Sequence, residues 1–298
     1  MKHLIVVDWG TSALRGALLD GQGRVLAEVS APAGILNVPP GRFAEVFRDN
    51  FGRWQDTYDA LCLISGMAGS RQGWREAPYC ACPAGFADIA SQLLWIEPGR
   101  IAIVPGLSYE ERGVPDVMRG EETQVFGALD LLGVADAQLV LPGTHSKWVT
   151  VRGGRIEAFR TFMTGELYAL LRQHSILART LPDSDGELDA DAFRQGLEHA
   201  RESASLLHAA FSVRTLSLFE RMAPAVQPSY LSGLVIGEEL RAQPRIEADP
   251  PVVVIGAPAL TARYRLALDS LGIASQAIGA EATWRGSWAI ARQLEQNA

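Results

Sequence analysis

The sequence predicts an α/β protein of two lobes, and three observations lead there. Short hydrophobic runs of strand character alternate with longer segments of helical periodicity along most of the chain. The two halves open on one plan: a strand, a polar turn of Gly, Thr and Ser, a second strand, a glycine turn and a third strand. Late in the chain, Val252-Val253-Val254-Ile255-Gly256 reads as a bare hydrophobic strand buried on both faces, with a helix directly after it. At 298 residues the chain is long for one core and comfortable for two, which divide at 1–120 and 121–298.

In order, residues 3–8 form the first strand, ending in Asp8. The turn Trp9-Gly10-Thr11-Ser12 follows, then strand Leu14–Leu19, the hairpin turn Asp20-Gly21 and strand Val25–Val29. Phe43–Trp54 has helical spacing, Ala60–Ile64 is a short buried strand, Phe86–Trp95 a helix and Ile101–Val104 a strand. Glu122–Leu132 is a helix leading to the second lobe. That lobe starts with strand Gln138–Leu141, the turn Pro142-Gly143-Thr144-His145-Ser146, strand Lys147–Val151, the turn Gly153-Gly154 and strand Arg155–Phe162. Apolar residues at i, i+3 and i+4 then predict helices over Glu166–Arg179 and Ala190–Arg214, with Asp189 or Asp191 as a cap on the second. Tyr230–Arg241 is a further helix, and Val252–Ile255 a strand. Helix Pro258–Leu271, strand Ala274–Ile278 and a terminal helix from about Ala280 complete the chain. The last helix could pack back on the first lobe.

Composition narrows the function. Hydrophobic residues make up 48% and charged residues 20%, as in ordinary globular proteins. The net charge is −7 and no basic run occurs, which speaks against nucleic acid as a partner. An anionic substrate would need a local Arg or Lys cluster, because the overall field does not attract it. Cys62, Cys80 and Cys82 lack the number and spacing of a disulfide framework or a zinc site. They read as small residues in a reducing compartment. The N-terminal run lacks the pattern of a signal peptide, and no apolar run approaches the roughly 20 residues that span a bilayer. The expectation is a cytoplasmic protein with a small-molecule partner, no membrane and no nucleic acid; homodimerisation is open.

The common nucleotide motifs are missing: no G-x-x-x-x-G-K-[ST], no G-x-G-x-x-G after a strand and no G-x-S-x-G elbow. The two hairpin loops remain. In Asp8-Trp9-Gly10-Thr11-Ser12 a carboxylate at a strand end precedes a glycine and two hydroxyls. Backbone N–H groups in such a turn can cradle phosphate oxygens, and the carboxylate can hold Mg²⁺ through water. The competing reading is an ordinary hairpin with an Asx-type turn. Gly143-Thr144-His145-Ser146-Lys147 offers similar donors plus the cation of Lys147. His145 is a candidate base or a scaffold histidine.

The paired loops, the strand and helix over Val252–Leu271 and the two-lobed plan resemble the superfamily of sugar kinases, heat-shock chaperones and actin. Four longer motifs narrow the likeness: Ser65-Gly66-Met67-Ala68-Gly69-Ser70-Arg71-Gln72-Gly73-Trp74, Pro115-Asp116-Val117-Met118-Arg119-Gly120-Glu121-Glu122-Thr123-Gln124, Leu141-Pro142-Gly143-Thr144-His145-Ser146-Lys147-Trp148 and Phe162-Met163-Thr164-Gly165-Glu166-Leu167. Together they are similar to the 2-dehydro-3-deoxygalactonokinase family over essentially the whole chain. The resemblance implies the actin-like ATPase fold, two ribonuclease-H-like lobes with an ATP cleft between them. It also implies transfer of phosphate from ATP, with Mg²⁺, to the 6-hydroxyl of 2-dehydro-3-deoxy-D-galactonate in galactonate breakdown. One departure is Ala13, where the family pattern also accommodates asparagine.

On this resemblance each residue receives a role and a competing one. Asp8 would serve Mg²⁺, with Gly10, Thr11, Ser12, Gly143, Thr144 and Ser146 around the phosphates. Lys147 would meet the γ-phosphate, with Arg15 sharing that work. Glu121 or Glu122 would be the general base, although acidic residues in a first helical turn are also common for the dipole alone; Asp116 competes. Arg71, with Ser70 beside it, and Arg119 are candidates for the substrate carboxylate, or else surface or inter-loop ion pairs. Glu166 would bind a sugar hydroxyl or cap its helix with Thr164. Gly256 and Ala257, where a buried strand meets a helix opened by Pro258, would contact adenosine. A phosphohydrolase on the same fold, a non-catalytic sugar sensor and a filament or chaperone role are the alternatives.

Overall fold

Two hairpins, one at the head of each half, seed the two sheets. The computed structural model describes residues 1–243, 246–247 and 249–296. The first half runs β1 (His3–Trp9), β2 (Leu14–Asp20), β3 (Val25–Ala31), α1 (Phe43–Tyr58), β4 (Leu61–Gly66), β5 (Tyr79–Ala81), α2 (Phe86–Ser91), β6 (Leu94–Glu97), β7 (Ile101–Ile103), β8 (Gly106–Glu111), β9 (Val114–Met118) and α3 (Glu121–Leu132). The second runs β10 (Ala137–Leu141), β11 (Ser146–Arg152), β12 (Arg155–Phe162), α4 (Thr164–His174), α5 (Ala190–Glu202), α6 (Leu206–Ala209), α7 (Ser212–Leu218), α8 (Gln227–Ala242), β13 (Val252–Ile255), α9 (Pro258–Ser270), β14 (Ser275–Ile278) and α10 (Glu281–Gln296).

The sheets share one order over five strands, and the first carries β6 in addition. The first is β3-β2-β1-β4-β7-β6 and the second β12-β11-β10-β13-β14. In the first, β1 pairs antiparallel with β2 and parallel with β4, so the hairpin strands lie on one side and the crossover strands on the other. The chain divides into two units. One comprises Met1–Ala137, Val149–Arg160 and the chain from Ile278 on; the other comprises Gln138–Trp148 and Thr161–Ala277. Helix α3 falls in the first unit, whereas the division by sequence at 120/121 puts it in the second.

The first core gathers Ile5, Val7 and Trp9 from β1, Leu14 and Leu18 from β2, Cys62 and Ile64 from β4, and the Phe43–Phe47–Phe51 stripe of α1. That stripe is the i, i+4, i+8 spacing of a helix with one buried face. Phe51 reaches the sheet because Gly16 leaves room: a Cβ there would lie 2.4 Å from the ring. The second unit buries Val140, Trp148, Phe193, Ile236, Val252, Val254 and Tyr264 together. All four residues of β13 are buried, as a strand covered on both faces should be.

Three elements differ from the sequence expectation. The helix over Phe86–Trp95 ends at Ser91, and Leu94-Trp95-Ile96 instead joins β7 as an antiparallel strand. The helix over Ala190–Arg214 stops at Glu202; Ser203-Ala204-Ser205 breaks it, and the Ser205 hydroxyl accepts from Leu207 N to start a new short helix. The helix over Glu166–Arg179 starts at Thr164 and ends at His174, followed by a 3-10 turn. The three-stranded sheet β5-β8-β9 has no counterpart in the sequence reading. Its hairpin turns on Arg112 and Gly113, both at positive φ, the geometry a two-residue loop demands.

Candidate functional site

In the first unit the site begins where β1 ends. Asp8 stands opposite Arg15 on β2 and Ser65 on β4, and the Arg15 guanidinium donates to Asp8 Oδ2. The following turn closes with Gly10 N donating to Ala13 O at 2.9 Å. Its carbonyls are then taken up by a strap. Ile35 N donates to Gly10 O, Leu36 N to Thr11 O and Gly34 N to Ser12 O. Below, the buried Trp9 indole donates to Ala33 O at 2.8 Å. The side chains of Thr11 and Ser12 are left exposed. Gly34, which the sequence reading did not single out, is required here: a Cβ would sit 2.2 Å from the Ser12 carbonyl carbon. An apolar segment interrupted by one glycine was its only signal.

Gly66, at the end of β4, has φ +87, and a Cβ on it would lie 3.0 Å from Trp9 O and 3.3 Å from Asp8 Oδ1. Gly120, at φ +107, packs its backbone on Gly66. These two glycines bring the start of α3 beside Asp8. Glu121 accepts from Arg119 N at 3.0 Å and is half-buried. Glu122 is wholly buried; its Oε2 accepts from Gly120 N at 2.7 Å, and Oε1 has no hydrogen-bond partner among the described residues. Burial, with the neighbouring Glu121 charge, pushes its carboxyl up to about 8.

Arg119 donates from Nη2 to Ala77 O at 2.8 Å and stacks 4.3 Å from the Tyr79 ring centroid. Its Nε and Nη1, and the Ser70 hydroxyl, are buried without a partner among the described residues. Arg71 points away: its side chain is 87% exposed and faces Glu76 at 3.6 Å. Of the two candidate arginines, Arg119 is the one held within the unit with unspent donors. Asp116 lies on β9 opposite Tyr109 and lines an open pocket of about 510 Å³ with Arg160 and Glu111.

In the second unit the loop after β10 is clipped to the start of α4. Glu166 N donates to Thr144 O at 2.9 Å, and His145 Nε2 lies 2.6 Å from Glu166 Oε2. Gly165 allows the approach, since a Cβ would be 2.3 Å from Gly143 O. One oxygen of Glu166 and the His145 ring thus tie the loop to the start of α4. Two expectations change with this geometry. Ser146 is fully buried and its hydroxyl donates to Glu239 Oε2 at 2.7 Å, so its side chain faces the core and not a phosphate. Lys147 is 4% exposed, and its Nζ turns back to His145 O at 3.2 Å.

Beside this loop lies a cavity of about 170 Å³ walled by Gly143, Thr164, Ser232, Ile236, Arg263 and Tyr264, among others. Gly256 follows β13 at φ +152, where a Cβ would lie 3.6 Å from Pro142 O, Ala257 is the N-cap of α9 and Pro258 its first residue. The junction so formed aims α9, with Arg263 and Tyr264, at the cavity. Sequence reasoning missed Glu239, which is 2% exposed and accepts four hydrogen bonds from neutral groups. Burial and the Glu239 charge hold the Tyr264 phenol well above its ordinary range, so it stays a donor.

The cysteines take no part. All three are free, and burial pushes the Cys82 thiol up to about 12 and Cys62 well up. Among the described residues no group of three or more His, Cys, Asp or Glu gathers for a metal, and no helix is long and apolar enough to cross a membrane.

Residues 8–290 match the family model described as 2-keto-3-deoxy-galactonokinase. The chain is 37% identical over 298 residues to a Rhizobium meliloti protein whose name gives it 2-dehydro-3-deoxygalactonokinase activity, covering 98% of this chain and 97% of that one. It is 34% identical over 286 residues to the Escherichia coli 2-dehydro-3-deoxygalactonokinase, with 94% of each covered. The crystal structure of a Sinorhizobium meliloti protein given the same activity superposes with a TM-score of 0.89 at 36% identity, over 98% of this chain and 99% of that one. The two-lobed α/β fold is that of the actin-like ATPases.

Proposed function

The chain belongs to the 2-keto-3-deoxy-galactonokinase family, and on that premise we propose that it transfers the γ-phosphoryl group of ATP to the 6-hydroxyl of 2-dehydro-3-deoxy-D-galactonate. The observation that carries the reading is the family match over residues 8–290. The site geometry supports it.

Phosphoryl transfer asks a protein for positioning and charge stabilisation more than for covalent chemistry. In this reading the adenosine enters the cavity of the second unit, against α9. The backbone of Gly143 and Thr144 takes phosphate oxygens, and the buried ammonium of Lys147 supplies positive charge at the loop. In the first unit Thr11 and Ser12 offer their backbone N–H groups and exposed hydroxyls to the transferred group, in a turn that the Gly10 N–H closes on Ala13 O. A lone carboxylate at a strand end fits Mg²⁺, which prefers oxygen ligands and retains much of its water. Asp8 would hold it, and Mg²⁺ would neutralise charge on the phosphates. Arg15, which pairs with Asp8, would then turn to a phosphate.

Arg119 and Ser70 bind the carboxylate end of the acceptor, because their unpartnered donors suit an anion. Glu121 accepts the proton of the attacking hydroxyl. It is half-buried, whereas Glu122 is sealed in the core and accepts from Gly120 N. The protein works in the cytoplasm, where its free cysteines stay reduced.

The test is an ADP-coupled assay with MgATP and a panel of 2-keto-3-deoxy sugar acids, galacto and gluco isomers included. ADP formation should require an acceptor and favour the galacto isomer; ADP released at the same rate without one would make the protein a phosphohydrolase. Asp8→Asn should lower turnover by about 100-fold or more, the scale of losing one electrostatic stabiliser, with an unchanged unfolding midpoint. Near-normal turnover at saturating Mg²⁺ would remove Asp8 from the metal.

A further inference from the structure

Glu239 lies on α8, three residues beyond Ile236 and seven beyond Ser232, on the helix face that walls the cavity. It is 2% exposed. Its Oε2 accepts from Ser146 Oγ at 2.7 Å, from Tyr264 OH at 2.7 Å and from Thr164 Oγ1; its Oε1 accepts from Trp148 Nε1 at 2.7 Å. A carboxylate is acceptor only and offers about four lone-pair sites. Four donors from β11, α4 and α9 converge on it, three on Oε2 and one on Oε1. None of the four is a cation, so these contacts set direction rather than neutralise charge.

Two of the four donors, Thr164 and Tyr264, line the cavity, and a third, Ser146, directly follows the Gly143–His145 turn. We propose that Glu239 is the positioning residue of the nucleotide half-site: one buried carboxylate sets the register between the phosphate-side loop, the start of α4 and the α9 wall. The inference rests on the kinase reading, in which this cavity takes the nucleoside. A hydrophobic residue at this place would pack equally well in a core that holds Phe193, Ile236 and Leu240. What it could not do is hold three separate elements at hydrogen-bond distance from one point. Buried polar networks of this kind rigidify and specify an arrangement when every member is satisfied.

The experiment titrates ADP and, separately, the sugar acid by calorimetry on wild type, Glu239→Gln and Ser146→Ala. Glutamine keeps the shape and turns one acceptor into a donor, so at least one of the four bonds must break. The buried Ser146 hydroxyl spends its one proton on Glu239, so Ser146→Ala probes the network, and it keeps the test available if Glu239→Gln does not fold. ADP affinity should fall about tenfold in Glu239→Gln, equivalent to roughly 1.4 kcal/mol, and about threefold in Ser146→Ala, while affinity for the sugar acid stays within twofold of wild type. ADP affinity unchanged in a folded variant, or both ligands weakened alike, overturns the positioning role. Wild-type protein that binds the sugar acid but no ADP overturns the kinase reading, and this inference with it.

Discussion

At the first turn of α3, two adjacent carboxylates meet opposite environments. Glu121 is half-buried, while Glu122 is sealed in the core with one oxygen unpartnered among the described residues and its carboxyl pushed up to about 8 from 4.5. Reach decides the assignment more than basicity does: a base must touch the hydroxyl it deprotonates. Glu121→Gln should therefore lower kcat by about 100-fold or more with the KM for ATP near wild type, read in the coupled assay. For Glu122 the linkage sign is opposite to that of an ordinary paired carboxylate. Between about 4.5 and about 8 the folded protein holds a proton that the unfolded chain has released, so stability falls as pH rises through that window. Glu122→Gln removes this dependence. Its unfolding midpoint should gain on wild type from about pH 5 to about pH 9, and parallel midpoints across that range would place the titration elsewhere. The two arginines separate similarly. Arg119→Lys keeps charge but loses the planar fork, and should raise the KM for the sugar acid about tenfold or more with little change for ATP. Arg71→Ala, at an exposed pair, should move neither by more than about twofold.

At the scale of elements, close helix crossings depend on glycine. Helix α10 meets α3 where a Cβ on Gly127 would lie 1.8 Å from Ala282 O, and one on Gly286 1.8 Å from Thr123 O. In the other unit α5 meets α8 at Gly196 and Gly233, each with 2.1 Å to the facing carbonyl. Gly286→Ala or Gly196→Ala should lower stability by roughly 1–3 kcal/mol or more by forcing the helices apart, measured by denaturant unfolding of each variant. Gly165→Ala acts at the site instead. It pushes α4 off the Gly143 carbonyl and should weaken nucleotide more than it lowers stability. Much of this level was legible in the sequence. The hairpin strands, α1, β13 and α9 announce themselves through local hydrophobic spacing and glycine turns. The small sheet β5-β8-β9 does not, because β5 is three residues long and Pro115 breaks the strand signal of β9. The strand β6 was hidden for another reason: its Leu-Trp-Ile run fits a short helix as well as a strand until β7 is there to pair with it. Glu239 follows Glu238 on a helix, and only its place on the apolar stripe of Val235 and Ile236 marks it as the inward one.

For the whole molecule, the duplicated sheet order is the deepest regularity, and the sequence showed it as two hairpins carrying polar turns. What it could not show is which candidates the second unit would turn inward: Ser146 read as a turn residue and Lys147 as the first residue of a strand, consecutive positions that face opposite sides of the sheet, yet both are buried. The division into units carries its own consequence. The cavity, the clip between His145 and Glu166, and the Glu239 network lie wholly in the second unit, whereas Arg119, Ser70 and the start of α3 lie in the first. A ligand stabilises what it binds by RT ln(1 + [L]/Kd), roughly 2.7 kcal/mol at a hundred times Kd, and local opening reports that stabilisation where it acts. Hydrogen exchange followed by mass spectrometry should therefore partition by ligand. ADP alone should slow exchange in α4, α8 and the first turns of α9, and the sugar acid alone should slow it around Gly66–Ser70 and the start of α3. If ADP protected the start of α3 as strongly as it protected α8, the nucleotide would not be confined to the second unit, and Arg119 would have to be reassigned from acceptor to nucleotide.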